Sequence, residues 1–463
     1  MIDLTNTQKD AIGLNYVLGR MTCRSSYGGE KMRQIAPFGS GDEARLTQCF
    51  DNMEKIMAMD ARDMENLGNL LGRFKNIRGI VAKLEVGTLS QVEFFEIKNF
   101  LLVFAEMDIN LPLEGIFFTK MVDVLDILDP AGQRIAPFSL GEGFSADLAA
   151  LRRDKARLEH LLQQEVDQGQ RAELLTQRAK IVAAEDAEEM RVLEALSAKL
   201  RPYIPVFCAN MDNLGLLDFT MAKANLAQEY GAVRPEISEN RLAFKNMYNP
   251  MVAEVLTTKN RVMTKVSITL EVGATIMTGA NMGGKTVAMQ TAVLNAALGR
   301  MGFFVFADGA EIPLFDGICM VAEDMQGTGH GLSSFGADVV QINDIICHSR
   351  NNFLLIAMDE PARATNPAEG AAIVRALAAF MAQKNCVCLI NTHYDRIVRP
   401  GMRHYQVAGL RGGSTMDYNL VEVDADTAPP RDALEICRIM GMDRELLDII
   451  EKECDPIPET TYY

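Results

Sequence analysis

Residues 279–286 read Gly-Ala-Asn-Met-Gly-Gly-Lys-Thr, which matches the spacing G-x-x-x-x-G-K-S/T. That spacing suits a nucleoside triphosphate. Its glycines let the backbone turn tightly, so that successive N–H groups and the N-terminus of the next helix face the phosphates. The lysine reaches the β and γ oxygens, and the final hydroxyl can ligate Mg2+. Gly279, Ala280, Asn281, Met282, Gly283 and Gly284 are therefore expected to wrap ATP, with Lys285 on its phosphates and Thr286 on Mg2+. An apolar, β-branched run at 274–278 precedes the loop and a helical pattern at 287–298 follows it, the context such a loop needs.

Three other segments could complete the site. Residues 353–358 form a continuous apolar strand that ends in Asp359 and Glu360. A carboxylate at the C-terminal edge of a buried strand is placed to hold Mg2+, and its neighbour to orient and deprotonate water. A third strand at 386–391 delivers Thr392, His393 and Tyr394. His393 there could hydrogen-bond the γ-phosphate or the water, although a lone histidine is more often a satisfied structural residue. The Gly/Ser-rich stretch 330–338 could bring backbone N–H groups and the Ser333 hydroxyl to a phosphate. It cannot easily reach the nucleotide of its own chain, so this reading calls for a dimer whose sites are each completed by the partner. His160, His330, His348 and His404 show no metal-ligand spacing.

The elements that must position these groups divide the chain. Residues 1–235 read as a helical domain, with apolar residues at three- and four-residue spacing, as in Leu67, Leu70, Leu71 and Phe74. Phe94 and Phe95 sit on a helix of this kind and read as core. Two charged helices at 146–164 and 171–200, joined by a polar link at 165–170, predict an antiparallel hairpin. From 236 to 430 short apolar strands alternate with helices, which argues a parallel α/β domain. Residues 431–463 form a helical tail.

The 463-residue chain carries 62 acidic and 46 basic residues, a formal net charge of −16. This weakens the electrostatic pull toward a phosphate backbone, although a basic patch can still form on an acidic protein. The chain begins without a basic-then-apolar leader pattern and no apolar run reaches about 18 residues, so neither a signal peptide nor a membrane span is expected. The nine cysteines have no C-x-x-C spacing and read as reduced thiols of a cytoplasmic protein.

Together these segments resemble the ATPase domain of the MutS family, the DNA mismatch-repair proteins, within the wider ABC-type ATPases. The family's T-G-P-N-M-G-G-K-S corresponds to residues 278–286, its D-E-x-G-R-G-T to 359–365, its T-H-Y to 392–394 and its S-T-F to 333–335. Residues 217–224 resemble the helix leading into the ATPase, and 433–453 the helix-turn-helix that helps these proteins dimerise. The resemblance implies a helical core and lever domain followed by an α/β P-loop ATPase. It further implies ATP and Mg2+ as ligands, Lys285, Glu360 and His393 as catalytic residues, Thr286 and Asp359 on the metal, and Asn281 and Ser333 completing the partner's site.

Departures from the pattern matter too. Ala362 and Ala364 replace two glycines, Leu332 replaces an arginine, and Arg261 falls near the family's adenine-stacking aromatic, where a guanidinium could stack instead. No room is evident for the mismatch-reading domain, and the DNA clamp between the lever helices is replaced by the short link at 165–170. In lacking both modules the chain is similar to short MutS-like ATPases assigned as reactivases of cobalamin-dependent lysine 5,6-aminomutase. The partner expected is therefore a protein client of a homodimer or of a pair with a paralogous subunit. The alternatives are a DNA-binding repair ATPase and a nucleotide-gated scaffold.

Overall fold

The structure, a computed structural model, describes residues 3–107, 112–279, 283–322, 334–411, 415–425, 427 and 433–454. The chain forms two compact units that are interleaved in sequence. One comprises residues 22–35 and 52–222, and the other residues 1–21, 36–51 and 223–463. The boundary read from the sequence at 235/236 thus falls inside the second unit, which also takes in N-terminal segments.

The first unit is helical. Its core is built on Gln91–Ala105, where Phe94, Phe100 and Phe104 are buried. Phe100 meets Phe74, Tyr27 and Phe207 with ring centroids 5.2, 6.4 and 6.3 Å apart, as edge-on and tilted aromatic contacts favour. Phe94 stacks on Phe138 at 5.5 Å, which accounts for it as core. Asp218, 1 % exposed, accepts from Arg24 N, Ser25 N and Ser25 Oγ at 2.9, 2.7 and 2.6 Å. Gly28 must be glycine here, because a Cβ would lie 2.2 Å from Asp218 Oδ2.

Helices Ala146–Gln164 and Gln168–Leu200 form the expected antiparallel hairpin. The link is three residues rather than six. Asp167 N-caps the second helix by accepting from Gln170 N at 2.9 Å, which lets Gln168 to Gln170 join the helix. Leu148, Leu162, Val192, Leu193, Leu196 and Leu200 supply an apolar seam. Ion pairs hold the rest: Arg152 Nε to Glu185 Oε1 at 3.0 Å, Arg178 Nε to Glu159 Oε1 at 2.9 Å, and Lys155 to Glu185.

The second unit contains two sheets. The larger has the order β10-β9-β4-β8-β7-β6, where β4 is Gly273–Thr278, β6 Gly317–Val321, β7 Leu354–Asp359, β8 Cys386–Asn391, β9 Arg403–Arg411 and β10 Thr415–Glu422. Its pairs are parallel except β9 with β10. Every residue of β4 and β8 is buried, as central parallel strands require, and this is why both read as unbroken apolar runs. The smaller sheet has the order β1-β5-β2-β3, with β1 Glu236–Ser238, β2 Arg241–Met247, β3 Val266–Glu271 and β5 Gly309–Pro313, mostly antiparallel. Nothing in the residue pattern of these strands marks them as a sheet of their own.

Helices Lys285–Arg300 and Pro367–Met381 follow β4 and β7. The second starts with Asn366 as N-cap and Pro367 in the first turn, and packs Val374, Leu377, Ala378 and Met381 onto Ile276, Ile356, Met358, Cys388 and Ile390. The C-terminal region forms two short helices, Ala433–Ile439 and Arg444–Cys454.

Candidate nucleotide site

Strand register levels the motif-bearing ends of the large sheet. Met277 of β4 pairs with Asn391 of β8, and Asn391 pairs with Asp359 of β7. The backbone stays laced beyond the strands: Thr392 N donates to Met277 O and Glu360 N to Asn391 O, each at 3.0 Å. Three loops therefore leave one edge together, at the carboxyl ends of parallel strands, where α/β sheets place their ligands.

The glycines of the phosphate loop answer to conformation and crowding. Gly279 has φ 139° and a Cβ there would meet Val407 Cβ at 3.0 Å, while Gly284 has φ 86° and a Cβ would meet Tyr418 Cδ1 at 3.1 Å. Ahead of the loop, Thr278 Oγ1 lies 2.7 Å from His404 Nε2, and His404 Nδ1 lies 3.1 Å from Asp424 O. Burial lowers the pKa of His404 and favours its neutral form. This histidine, to which the sequence assigned nothing, anchors the loop's first strand.

Lys285 Nζ donates to Gly279 O at 2.8 Å and stands 4.0 Å from Glu360 Oε1, with its side chain 5 % exposed. Burial pulls the lysine pKa down, opposed by the charges of Glu360 and Asp359. Thr286 is exposed and donates from Oγ1 to Asp359 Oδ2 at 2.8 Å, while Asn391 Nδ2 donates to Asp359 Oδ1 at 3.0 Å. Burial raises the pKa of Asp359, and the hydrogen bonds from Thr286 and Asn391 counter it.

Glu360 sits at φ +47°, left-handed backbone that a non-glycine residue adopts at a cost of about 1–3 kcal/mol. Its carboxylate faces two cationic groups, Arg363 Nη1 at 3.5 Å and Lys285 Nζ, and the imidazole of His393, whose Nδ1 lies at 3.7 Å. The neighbouring His393 holds the Glu360 carboxyl below the usual glutamate range, with burial opposing and Lys285 assisting. Tyr394 braces the loop after Glu360. Its hydroxyl donates to Ala362 O at 3.2 Å, and a Cβ on Gly370 would fall 2.3 Å from that hydroxyl. Ala362, where the family pattern has glycine, sits at φ +60°.

The structure thus brings Gly279, Gly283, Gly284, Lys285, Thr286, Asp359, Glu360 and His393 to one edge. Ala280, Asn281, Met282 and Ser333 lie outside the described residues. Arg261 is exposed in the segment between helix Pro250–Thr258 and β3, and its backbone N–H donates to Leu256 O at 2.9 Å. Among the described residues it makes none of the ties that join the others. Besides His404, sequence reasoning missed three residues. Asn391 read as the last apolar-strand position, and Arg363 as part of a motif without a role. Tyr418, 41 % exposed, lies against Gly284 beside a register shift between Asp417 and Leu420.

The Thr286 hydroxyl and the Asp359 carboxylate are hard oxygen donors in contact, and they fit Mg2+. Among the described residues no group of three or more His, Cys, Asp or Glu could hold a metal.

Comparison with known proteins finds similarity over the part of the chain that carries this edge of the sheet. Residues 275–420 match the family described as MutS domain V. A protein named Endonuclease MutS2 from Leuconostoc mesenteroides is 32% identical over 227 residues, 49% of this chain and 28% of that protein. Its namesake from Enterococcus faecalis is 29% identical over 285 residues, 59% and 34% of the two chains. That from Streptococcus pneumoniae is 26% identical over 440 residues, 81% and 55%. The matches thus span at most 55% of these relatives' own length. Among the described residues no helix is long and apolar enough to cross a membrane.

Proposed function

We propose that this chain, which carries the ATPase domain of the MutS family, binds and hydrolyses ATP as a cytoplasmic dimer and uses the cycle to act on a macromolecular partner. The observation that supports it most is one cluster: Thr286 Oγ1 on Asp359 Oδ2 at 2.8 Å, with Lys285 and His393 at 4.0 and 3.7 Å from Glu360.

In this reading the loop N–H groups and Lys285 bind the β- and γ-phosphates, the lysine exchanging the Gly279 carbonyl for phosphate oxygen. Thr286 and Asp359 would hold Mg2+, which would supply positive charge against the phosphates. Glu360, ionised at neutral pH, takes a proton from a water whose oxygen attacks the γ-phosphorus. The bond to the bridging oxygen breaks, and ADP and inorganic phosphate leave. His393 fixes the Glu360 carboxylate and senses the γ-phosphate. Tyr418, which lies against Gly284, and Arg261, by the resemblance alone, would meet the base, and Asn281 and Ser333, outside the described residues, would complete the site of the second subunit. Contacts made with ATP and lost with ADP are what bias the two states of the dimer.

A protein client, such as a cobalamin-dependent aminomutase needing reactivation, is the favoured partner. The hairpin supports it, since helices Ala146–Gln164 and Gln168–Leu200 meet through three residues with no inserted module to grip a duplex. The second reading is a DNA-binding ATPase, supported by the name of the MutS2 relatives. An ionisable Glu360 beside the lysine weighs against a scaffold that never hydrolyses ATP.

ATP turnover measured with heteroduplex DNA, homoduplex DNA and inactivated aminomutase separates these readings. Stimulation by the enzyme alone supports the client; stimulation by heteroduplex alone overturns it.

A further inference from the structure

Asn391 is fully buried, and its amide is used at one end only. Nδ2 donates to Asp359 Oδ1 at 3.0 Å, whereas Oδ1 is buried with no hydrogen-bond partner among the described residues. Leaving an amide oxygen dry and unpaired costs about 1–3 kcal/mol. Strands β7 and β8 are otherwise apolar along their buried runs, and an apolar residue at 391 would avoid that cost. The position is also the register point of the site, since Asn391 pairs with both Met277 and Asp359 and its carbonyl takes the Glu360 N–H.

Asp359 is clamped from two sides as a result. Asn391 takes Oδ1 and Thr286 takes Oδ2, one anchor from the end of β8 and the other from the first turn of helix Lys285–Arg300. If Thr286 and Asp359 turn to hold Mg2+, their mutual hydrogen bond would be given up and the Asn391 anchor would keep the carboxylate in place. Loading the site also brings ordered water, the donor that Asn391 Oδ1 lacks.

We infer that Asn391 is a positioning residue for the metal half of the site: it holds Asp359 through Nδ2 and offers Oδ1 to a water of the ion's hydration shell. The inference rests on the ATP–Mg2+ reading above, but it concerns how tightly the ion is held rather than whether nucleotide binds.

The test titrates Mg2+ against the full-length protein bound to a fluorescent ATP analogue, alongside analogue affinity in EDTA. It uses wild type, Asn391→Leu (near-isosteric, with no polar end) and Asn391→Ser as a smaller change in case the leucine variant does not fold. The apparent Mg2+ affinity should fall about tenfold in either folded variant, while affinity in EDTA stays within twofold of wild type. An unchanged Mg2+ dependence overturns the inference. So does an equal loss with and without Mg2+, which marks a merely structural residue. A wild-type protein that binds no analogue under either condition overturns the nucleotide reading itself, and the inference with it.

Discussion

At the scale of single residues, the proposed chemistry rests on Glu360. Its backbone lies at φ +47° and its carboxylate faces Lys285, Arg363 and His393, so it stays ionised as the proposed water activation requires. The folded-state pKa is depressed, so the ionised form persists above it and is lost only as pH falls through that lowered value. Because His393 is the largest cause, His393→Ala should move the acid limb of the pH–kcat profile upward, toward the ordinary glutamate value of about 4.3. An acid limb that stays in place would separate His393 from Glu360. Ala362 permits a second check. At φ +60° the alanine is strained by about 1–2 kcal/mol, partly offset by the extra freedom glycine has when unfolded. Ala362→Gly should therefore leave stability unchanged or raise it by up to about 1 kcal/mol, read from the urea midpoint.

At the scale of elements, the legible parts of the sequence were those whose signal is local. The strands at β4, β7 and β8 are buried on both faces and showed as unbroken apolar runs, and their motifs sit at the ends where the sheet delivers them. Asp359, Glu360 and His393 could be placed on this basis. Tyr418 could not, because its approach to Gly284 depends on β10 folding back on β9 with a shifted register. Nor could the small sheet, whose β1–β5 and β2–β5 pairs join segments far apart in the chain. The hairpin link was misjudged by three residues because Asp167 competes as a cap. The hairpin also yields a prediction. Glu188 is held at about 2, chiefly by Arg191 and then by Ser145. Its contribution is therefore present above the unfolded glutamate value of about 4.3 and is lost as pH falls toward about 2. Glu188→Gln should lower the melting temperature at pH 6 and leave it unchanged at pH 2. An equal effect at both would contradict the pairing.

At the scale of the whole molecule, the nucleotide-binding unit is assembled from three stretches of sequence: residues 1–21, 36–51 and 223–463. Arg300, at the end of the phosphate-loop helix, shows this directly: its backbone carbonyl accepts from Phe38 N at 2.7 Å and its guanidinium lies 3.6 Å from Asp3. A truncated chain starting at residue 236 would lose these partners and should express poorly or aggregate. A soluble, nucleotide-binding fragment would show the N-terminal segments to be dispensable. If each site is completed by a second subunit, Glu360→Gln with MgATP should sediment as a dimer at concentrations where the nucleotide-free protein is mostly monomer. Identical sedimentation with and without nucleotide would argue against a shared site.

The most direct measurement uses radiolabelled ATP with Mg2+ on wild type, Lys285→Ala and Glu360→Gln. Wild type should retain label and release phosphate over repeated turnovers. Lys285→Ala should retain little, and Glu360→Gln should retain label as uncleaved ATP with turnover reduced at least about a hundredfold. Wild type that neither retains nor cleaves the nucleotide, or Glu360→Gln that turns over at the wild-type rate, would contradict the account.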